Sequence, residues 1–463
     1  MEPIDPVYGT ATLLLIAAGA VALLLGLIIG LKLHAFVSLV LVSVVTALAV
    51  GFDPAEIPDV LLYGFADTLG GVALLVAFGV MLGRLLEATG GAQVLADTLI
   101  ARFGEQRAPL ALGVAALIFG FPIFFDAGLV VFLPIILTVA RRFGGSLLFY
   151  ALPAAGAFAA MHAIVPPHPG PVAAAQQLDA SIGLTLLVGI PVVLVSWYVG
   201  VYLVSRWLGR RVDVSVSDVV FGKVQNGSDG DQELGQQPPS FGAVLGLLLL
   251  PLVLISFDTV LDTLVAAGTL DEATWIDVLG LFGQVPVALL LTVLVAIAVL
   301  GRPHASMARI STMFDEALGP ICAIILITGA GGMFGGVLEL SGIGAALSDS
   351  LSGLGFSLIV QAFLIATLLR VAQGSATVAL TTTGGLIAGP AAAADLGDLH
   401  LSLLVFAIAA GATVLSHVND SGFWLVSRFF GMDEKTTLKT WTVMETTLGV
   451  SVFAVAGALW LAL

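Results

Sequence analysis

Four prolines in six residues, Pro166, Pro167, Pro169 and Pro171, stand inside an apolar stretch that would otherwise read as one helix. Each removes a backbone donor and crowds the preceding turn, so the helix has to break there. In water such a break is harmless. This chain is 59% hydrophobic and 10% charged, with a mean hydropathy of +1.11, whereas soluble domains carry about 25% charged residues. It is therefore polytopic in a membrane, where lipid offers no hydrogen bonds. A break at that depth survives only if protein surrounds it or it lines a wet cavity. The stretch Met161–Pro171 is thus a candidate binding site.

Ten apolar runs are long enough to span, near 8–31, 34–51, 69–88, 147–165, 182–205, 241–257, 284–301, 317–338, 401–417 and 441–463. Two further stretches, 108–140 and 357–390, are interrupted by Gly, Pro or polar clusters. Lys and Arg favour cytoplasmic loops. Arg102 and Arg107 precede 108–140 and Arg141 and Arg142 follow it, so the stretch should enter and return as a re-entrant hairpin. The same rule places Lys32, Arg206, Arg210, Arg211, Arg302, Arg309, Lys435 and Lys439 inside. The acidic segments Asp53–Asp67, Asp258–Asp277 and Asp395–Asp398, and both termini, then fall outside.

The halves repeat. Residues 81–99 laid on 333–351 match at eight of nineteen positions without a gap, pairing Glu87 with Glu339, Gly90 with Gly342 and Asp97 with Asp349. Ala154-Ala-Gly-Ala157 with His162 likewise matches Ala409-Ala-Gly-Ala412 with His417. Opposite directions on the charge map make this an inverted repeat, the signature of an alternating-access transporter. The expected fold is an all-α polytopic membrane protein of two inverted repeats, each with five transmembrane helices and one re-entrant hairpin. The first repeat is 1–211 (hairpin 108–140, broken helix 147–178) and the second 241–463 (hairpin 357–390, broken helix 401–428). A cytoplasmic linker at 212–240, rich in Gly, Ser, Gln and Asp, joins them.

The single cysteine, Cys322, excludes an intrachain disulfide and a Cys-based metal cluster, and is expected to be a small buried residue. The acidic start, Met1-Glu-Pro-Ile-Asp-Pro, lacks the basic region of a cleavable signal, so the first run reads as a retained span. A net charge of −15 argues for no nucleic-acid partner. The partners expected are the bilayer, a small-molecule carboxylate and, at most, a second copy in a homodimer.

Four irregular segments should converge near the midplane. They are the bend Phe119–Gly128, the break after His162, the bend Arg370–Thr377 with Thr381–Gly385, and the break Ser416–Gly422. An ionisable group at bilayer depth costs roughly 2.5–3.5 kcal/mol, so Asp126, His162, Arg370, His417 and Asp420 each need a partner or a function. Asp126 binds substrate or caps a hairpin helix. Arg370 faces a substrate carboxylate or pairs with Asp126 or Asp420. His168 reads as a loop residue. Candidate substrate-binding residues are Phe125, Asp126, His162 and Pro167 in the first half, and Gln373, Gly374, Ser375, Thr377, Asn419, Asp420 and Ser421 in the second. Hydroxyls and amides beside half-helix N-termini suit a polyhydroxylated anion. A coupled proton could ride on His162 or His417, since imidazole titrates in the physiological range, or on Asp126 or Asp420. No cofactor or metal is expected. The coupling ion is taken as a proton, with sodium left open.

At Gly120-Phe-Pro-Ile-Phe-Phe-Asp126, Ala151-Leu-Pro-Ala-Ala-Gly156, Pro166-Pro with Pro169-Gly-Pro-Val-Ala-Ala-Ala175, Gln373-Gly-Ser-Ala-Thr-Val-Ala379 and Ser416-His-Val-Asn-Asp-Ser-Gly-Phe-Trp424, the chain resembles the gluconate permease family of gluconate:proton symporters. Those motifs run through nearly the whole chain in the family's order. His168 stands where the family usually has a small polar residue. The resemblance implies the ion transporter superfamily fold and a plasma or inner membrane importer of gluconate or a related sugar acid. Alternatives are an ion/proton antiporter of the same fold, or a permease for another small carboxylate or a hydroxy amino acid. An intramembrane hydrolase is disfavoured because neither His-Glu-x-x-His nor Gly-x-Ser-x-Gly occurs, and the protein reads as no enzyme.

Overall fold

A computed structural model describes residues 7–91, 104–121, 124–166, 168–216, 238–266, 273–343, 356–394 and 396–463, with Ile4, Val94, Thr98 and Leu270. Pro122, Pro167, Asp395, most of the linker, and Asp97 and Asp349 of the repeat lie outside the described residues. Those described are helical, with no strand among them. Among the described residues, four helices are long and apolar enough to cross a membrane: Thr10–Gly30 (α1), the interrupted Leu148–Gln177, Ile182–Gly209 (α8) and Glu434–Ala462 (α17). The pair Thr274–Gly283 (α10) and Val285–Gly301 (α11), bent by 62° at Gln284, makes a fifth. The other helices are Ala35–Val50 (α2), Ile57–Ala88 (α3), Phe241–Ala266 (α9) and Met307–Leu340 (α12), together with those of the interrupted segments below.

Each interrupted segment falls where the sequence places it. The stretch 108–140 is Ala108–Gly120 (α4) and Phe125–Phe143 (α5), and 357–390 is Leu358–Gln373 (α13) and Ala376–Ala393 (α14). The broken helices are Leu148–Ile164 (α6) with Pro169–Gln177 (α7), and Asp398–Thr413 (α15) with Ser421–Phe429 (α16). Helix α4 packs along α6 as α13 packs along α15, while α7 packs on α14 across the halves. Apart from Phe149 and His162, every residue of α6 is buried, and α15 is buried from Ser402 to Thr413. These two helices form the core on which the site is built. Exposed Leu15, Leu187, Val195 and Leu294 lie on the outer helices, as a lipid-facing surface requires.

The longest helices, α3 and α12, make the most extensive pairing. Glycine permits it: a Cβ on Gly64 would lie 2.4 Å from the Gly332 carbonyl oxygen, and one on Gly332 would lie 1.9 Å from the Thr68 hydroxyl oxygen. Small residues let helix backbones approach closely where apolar burial gives no driving force.

Residues 57–67 form the first turns of α3, with Pro58 in the first turn, where its missing N–H costs nothing. Asp258 is buried in α9 and accepts a hydrogen bond from Gln284 Nε2 at 3.0 Å, a donor that helps make its burial tolerable. One expectation changes. Cys322 is exposed on α12 rather than buried, with Sγ bonded only to the Leu318 carbonyl one turn earlier. In a membrane protein a small apolar side chain is as much at home on the outer surface as in the core.

Candidate functional site

Each break is tied to a hairpin bend through side chains that take up orphaned carbonyls. In the first half, His168 Nε2 lies 2.9 Å from the Gly120 carbonyl at the end of α4. Its ring packs edge-on against His162 at 5.0 Å and Phe124 at 5.8 Å. His168 lies in the break between α6 and α7, yet at 3% exposed it is buried and pins that break to the bend after α4. In the second half, Asn419 Nδ2 donates to the Val371 and Ala372 carbonyls at 2.9 and 3.0 Å, and His417 Nε2 lies 2.9 Å from the Val371 carbonyl. Gly374 makes that contact available. Its φ is +83°, and a Cβ there would sit 2.2 Å from the Asn419 carbonyl oxygen.

The polar centre is an ion pair. Arg370, at the end of α13, donates to Asp420 Oδ2 and to the Gly374 carbonyl, which decides between its two possible carboxylate partners. Ser416 also donates to Asp420, whose Oδ1 caps α16 by accepting from Gly422 N at 3.0 Å. Ser416 in turn accepts from Trp441 Nε1 at 2.8 Å, so α17 is bonded into the break. Arg370 is 4% exposed and Asp420 6%. A buried pair of this kind holds only when its remaining donors and acceptors are met, and here the Arg370 Nε has no partner among the described residues.

Around this pair lies a cavity of about 540 Å³. Its mouth carries exposed Asp67, Gly70 and Gln284, and its floor buried Arg370, Asp420, Trp441 and Glu445. Three helix N-termini reach it, through Phe125 and Asp126 of α5, Ser375, Ala376 and Thr377 of α14, and Ser421 and Gly422 of α16. Ser375 caps α14 through Val378 N. The Phe125 ring lies 5.5 Å from that of Trp441, tilted by 36°, across the halves. A second space of about 110 Å³ adjoins the first, sharing Asp67, Thr68, Ser375 and Ser421, and continues along the α3–α12 seam past Gln373, Gly374 and Asn419.

Against this geometry the comparisons with known proteins are unambiguous. The sequence matches the GntP family permeases over residues 11–463. The chain belongs to the GntP permease family. Among similar proteins are an inner membrane permease, YgbN, of Escherichia coli K12, 38% identical over 97% of this chain and 99% of its own length, and a gluconate permease of Bacillus subtilis, 35% identical over 95% and 97%. A Gnt-II system L-idonate transporter of Escherichia coli K12 is 36% identical over 95% and 96%. The protein is thus an integral membrane transporter and not an enzyme.

In this GntP-family permease Phe125, Asp126, His162, Ser375, Thr377, Asp420 and Ser421 line the larger cavity. Gln373, Gly374 and Asn419 border the smaller one. His417 borders neither, being turned to the second hairpin. Sequence reasoning missed Asp67, Thr68, Trp441 and Glu445. Asp67 ends the acidic segment assigned outside, and Thr68 falls between it and the run 69–88. A lone acid in the apolar run 441–463 was the available signal for Glu445.

Proposed function

We propose that this permease imports gluconate or a related sugar acid together with a proton, by alternating access. One observation carries the reading: a cavity of about 540 Å³, within the roughly 300–1,000 Å³ typical of small-molecule sites, combines three helix N-termini with Arg370 and the hydroxyls of Ser375, Thr377 and Ser421. Helix N-termini carry partial positive charge and free N–H groups, which favour a carboxylate. The hydroxyls suit a polyol chain. Relatives named for gluconate and L-idonate support the same substrate class.

Coupling follows from charge. Asp67, Asp126, Asp420 and Glu445 line the cavity, and Arg370 is the one Arg or Lys among the described lining residues. An anion entering so acidic a space is repelled unless a proton enters with it. On the charge map, the mouth at Asp67 and Gln284 opens outward, the state that loads substrate. The test is uptake of labelled gluconate into proteoliposomes, with a pH dye recording proton movement. Gluconate-dependent proton entry, unaffected by replacing sodium with choline, is expected. Gluconate neither entering nor competing would refute the substrate, and entry without protons would refute the coupling.

A further inference from the structure

We propose that the Glu445 carboxyl is the group that carries the co-transported proton, an assignment that rests on the symport reading above. Glu445 stands on α17 one turn beyond Trp441, on the face that docks against the break of the second half through Trp441 Nε1 to Ser416 Oγ and Thr442 Oγ1 to the Ser416 carbonyl. It is 4% exposed, lines the cavity floor, and its Oε1 has no hydrogen-bond partner among the described residues. A buried acceptor left unpaired costs about 1–3 kcal/mol, more for a charged group, so its retention calls for a role.

The neighbouring groups already have other duties. Asp420 is bound by Arg370, Ser416 and Gly422 N. Asp126 occupies the first turn of α5, where the helix N-terminus supports its charge. His162 is walled by the rings of Phe124 and His168. Asp67 is exposed at the mouth. With Arg370, these are the titratable or charged groups that share the cavity with Glu445 among the described residues; α15 contributes only Thr413, and α8 contributes nothing.

Three unpaired buried side-chain atoms among the described residues border this space, Arg370 Nε, His162 Nδ1 and Glu445 Oε1, and Glu445 is the one carboxylate of the three. A substrate carboxylate takes the Arg370 donor. A proton from the external water binds the Glu445 carboxylate, giving a neutral carboxyl, and leaves to the internal water with the substrate. The cavity's total charge is the same loaded and empty, which fixes the ratio at one proton per monoanion.

The test compares wild type with Glu445→Gln and Glu445→Asp in proteoliposomes. Wild-type gluconate-dependent proton entry is measured first; its absence removes the symport reading and not merely this residue. Given wild-type coupling, Glu445→Gln is expected to lower the ratio of pH-gradient-driven accumulation to gluconate counterflow at least tenfold, because counterflow requires no net proton movement. An unchanged ratio overturns the assignment. Should Glu445→Gln lose both activities, Glu445→Asp decides: coupled uptake with a displaced pH optimum supports proton carriage, while an undisplaced optimum or no recovery refutes it.

Discussion

Replacing Gly374 with alanine should disable the site through one methyl group. Gly374 has a φ of +83°, which costs a residue with a Cβ about 1–2 kcal/mol. The new Cβ would lie 2.2 Å from the Asn419 carbonyl oxygen and 2.7 Å from its carbon, against about 3.4 Å for ordinary contact. The break must therefore retreat by about 1.2 Å, the difference between 3.4 and 2.2 Å. That displacement stretches the 2.9 and 3.0 Å bonds from Asn419 to Val371 and Ala372 beyond hydrogen-bonding reach, at about 1 kcal/mol each. The total is about 3–4 kcal/mol, a large part of a typical stability of about 5–15 kcal/mol. Arg370 and Ser375 move with the bend, so transport should fall further than stability. The control is Gly389→Ala on the same hairpin, where a Cβ meets nothing within 4 Å and alanine should be neutral or stabilise by up to about 1 kcal/mol. Thermal unfolding in detergent and gluconate uptake in proteoliposomes measure the two effects. Wild-type melting and uptake for Gly374→Ala, or equal losses in both variants, would refute the reasoning.

Removing Arg370 alone by Arg370→Met, or Asp420 alone by Asp420→Asn, should destabilise by about 3–5 kcal/mol, since each leaves an uncompensated buried group. The double variant should lose clearly less than the sum of the two in the same melting assay. His168→Ala should lower the melting temperature by the equivalent of about 1–3 kcal/mol, because the buried Gly120 carbonyl loses its partner. Asp433 caps α17 through Thr436 N at 2.7 Å, and hydrogen bonds from Thr436, side chain first and then backbone, hold its carboxyl below the usual range. Asp433→Ala should therefore cost about 1 kcal/mol. Because the folded value is depressed, that difference is constant from neutral pH to about 4 and shrinks only as the pH falls further, as melting curves across pH would show. Single cysteines at Arg107 and Arg141 should label from the same side of the membrane if 108–140 enters and returns. Exposed Cys322 must first be replaced by Ala, and labelling from opposite sides would break the hairpin map.

The breaks were legible because proline and glycine clusters inside apolar stretches leave the backbone no regular option, and Pro166–Pro171 and Ser416–Gly422 sit where α6 and α15 end. The bends at Phe124 and Gly374 follow for the same reason. Pairing was not legible. That Arg370 selects Asp420 over Asp126 depends on how the break crosses the hairpin, and chain distance says nothing of that. Helices α6 and α15 show no amphipathic pattern because they are buried on nearly every side. Asp67 was not read as a lining residue because a charge beside an apolar run reads as its boundary, whereas α3 continues through it toward Ile57.

The helix N-termini at Phe125, Ser375 and Ser421 bring backbone as well as side-chain groups to the cavity. Backbone amides are the same in every residue but proline, so point substitution cannot easily erase this half of the recognition. The hydroxyls of Ser375, Thr377 and Ser421 enjoy no such protection. Over evolutionary time the preference for an anion should therefore persist while the choice among sugar acids drifts. A library varied only at these hydroxyl positions is where new substrates would be sought.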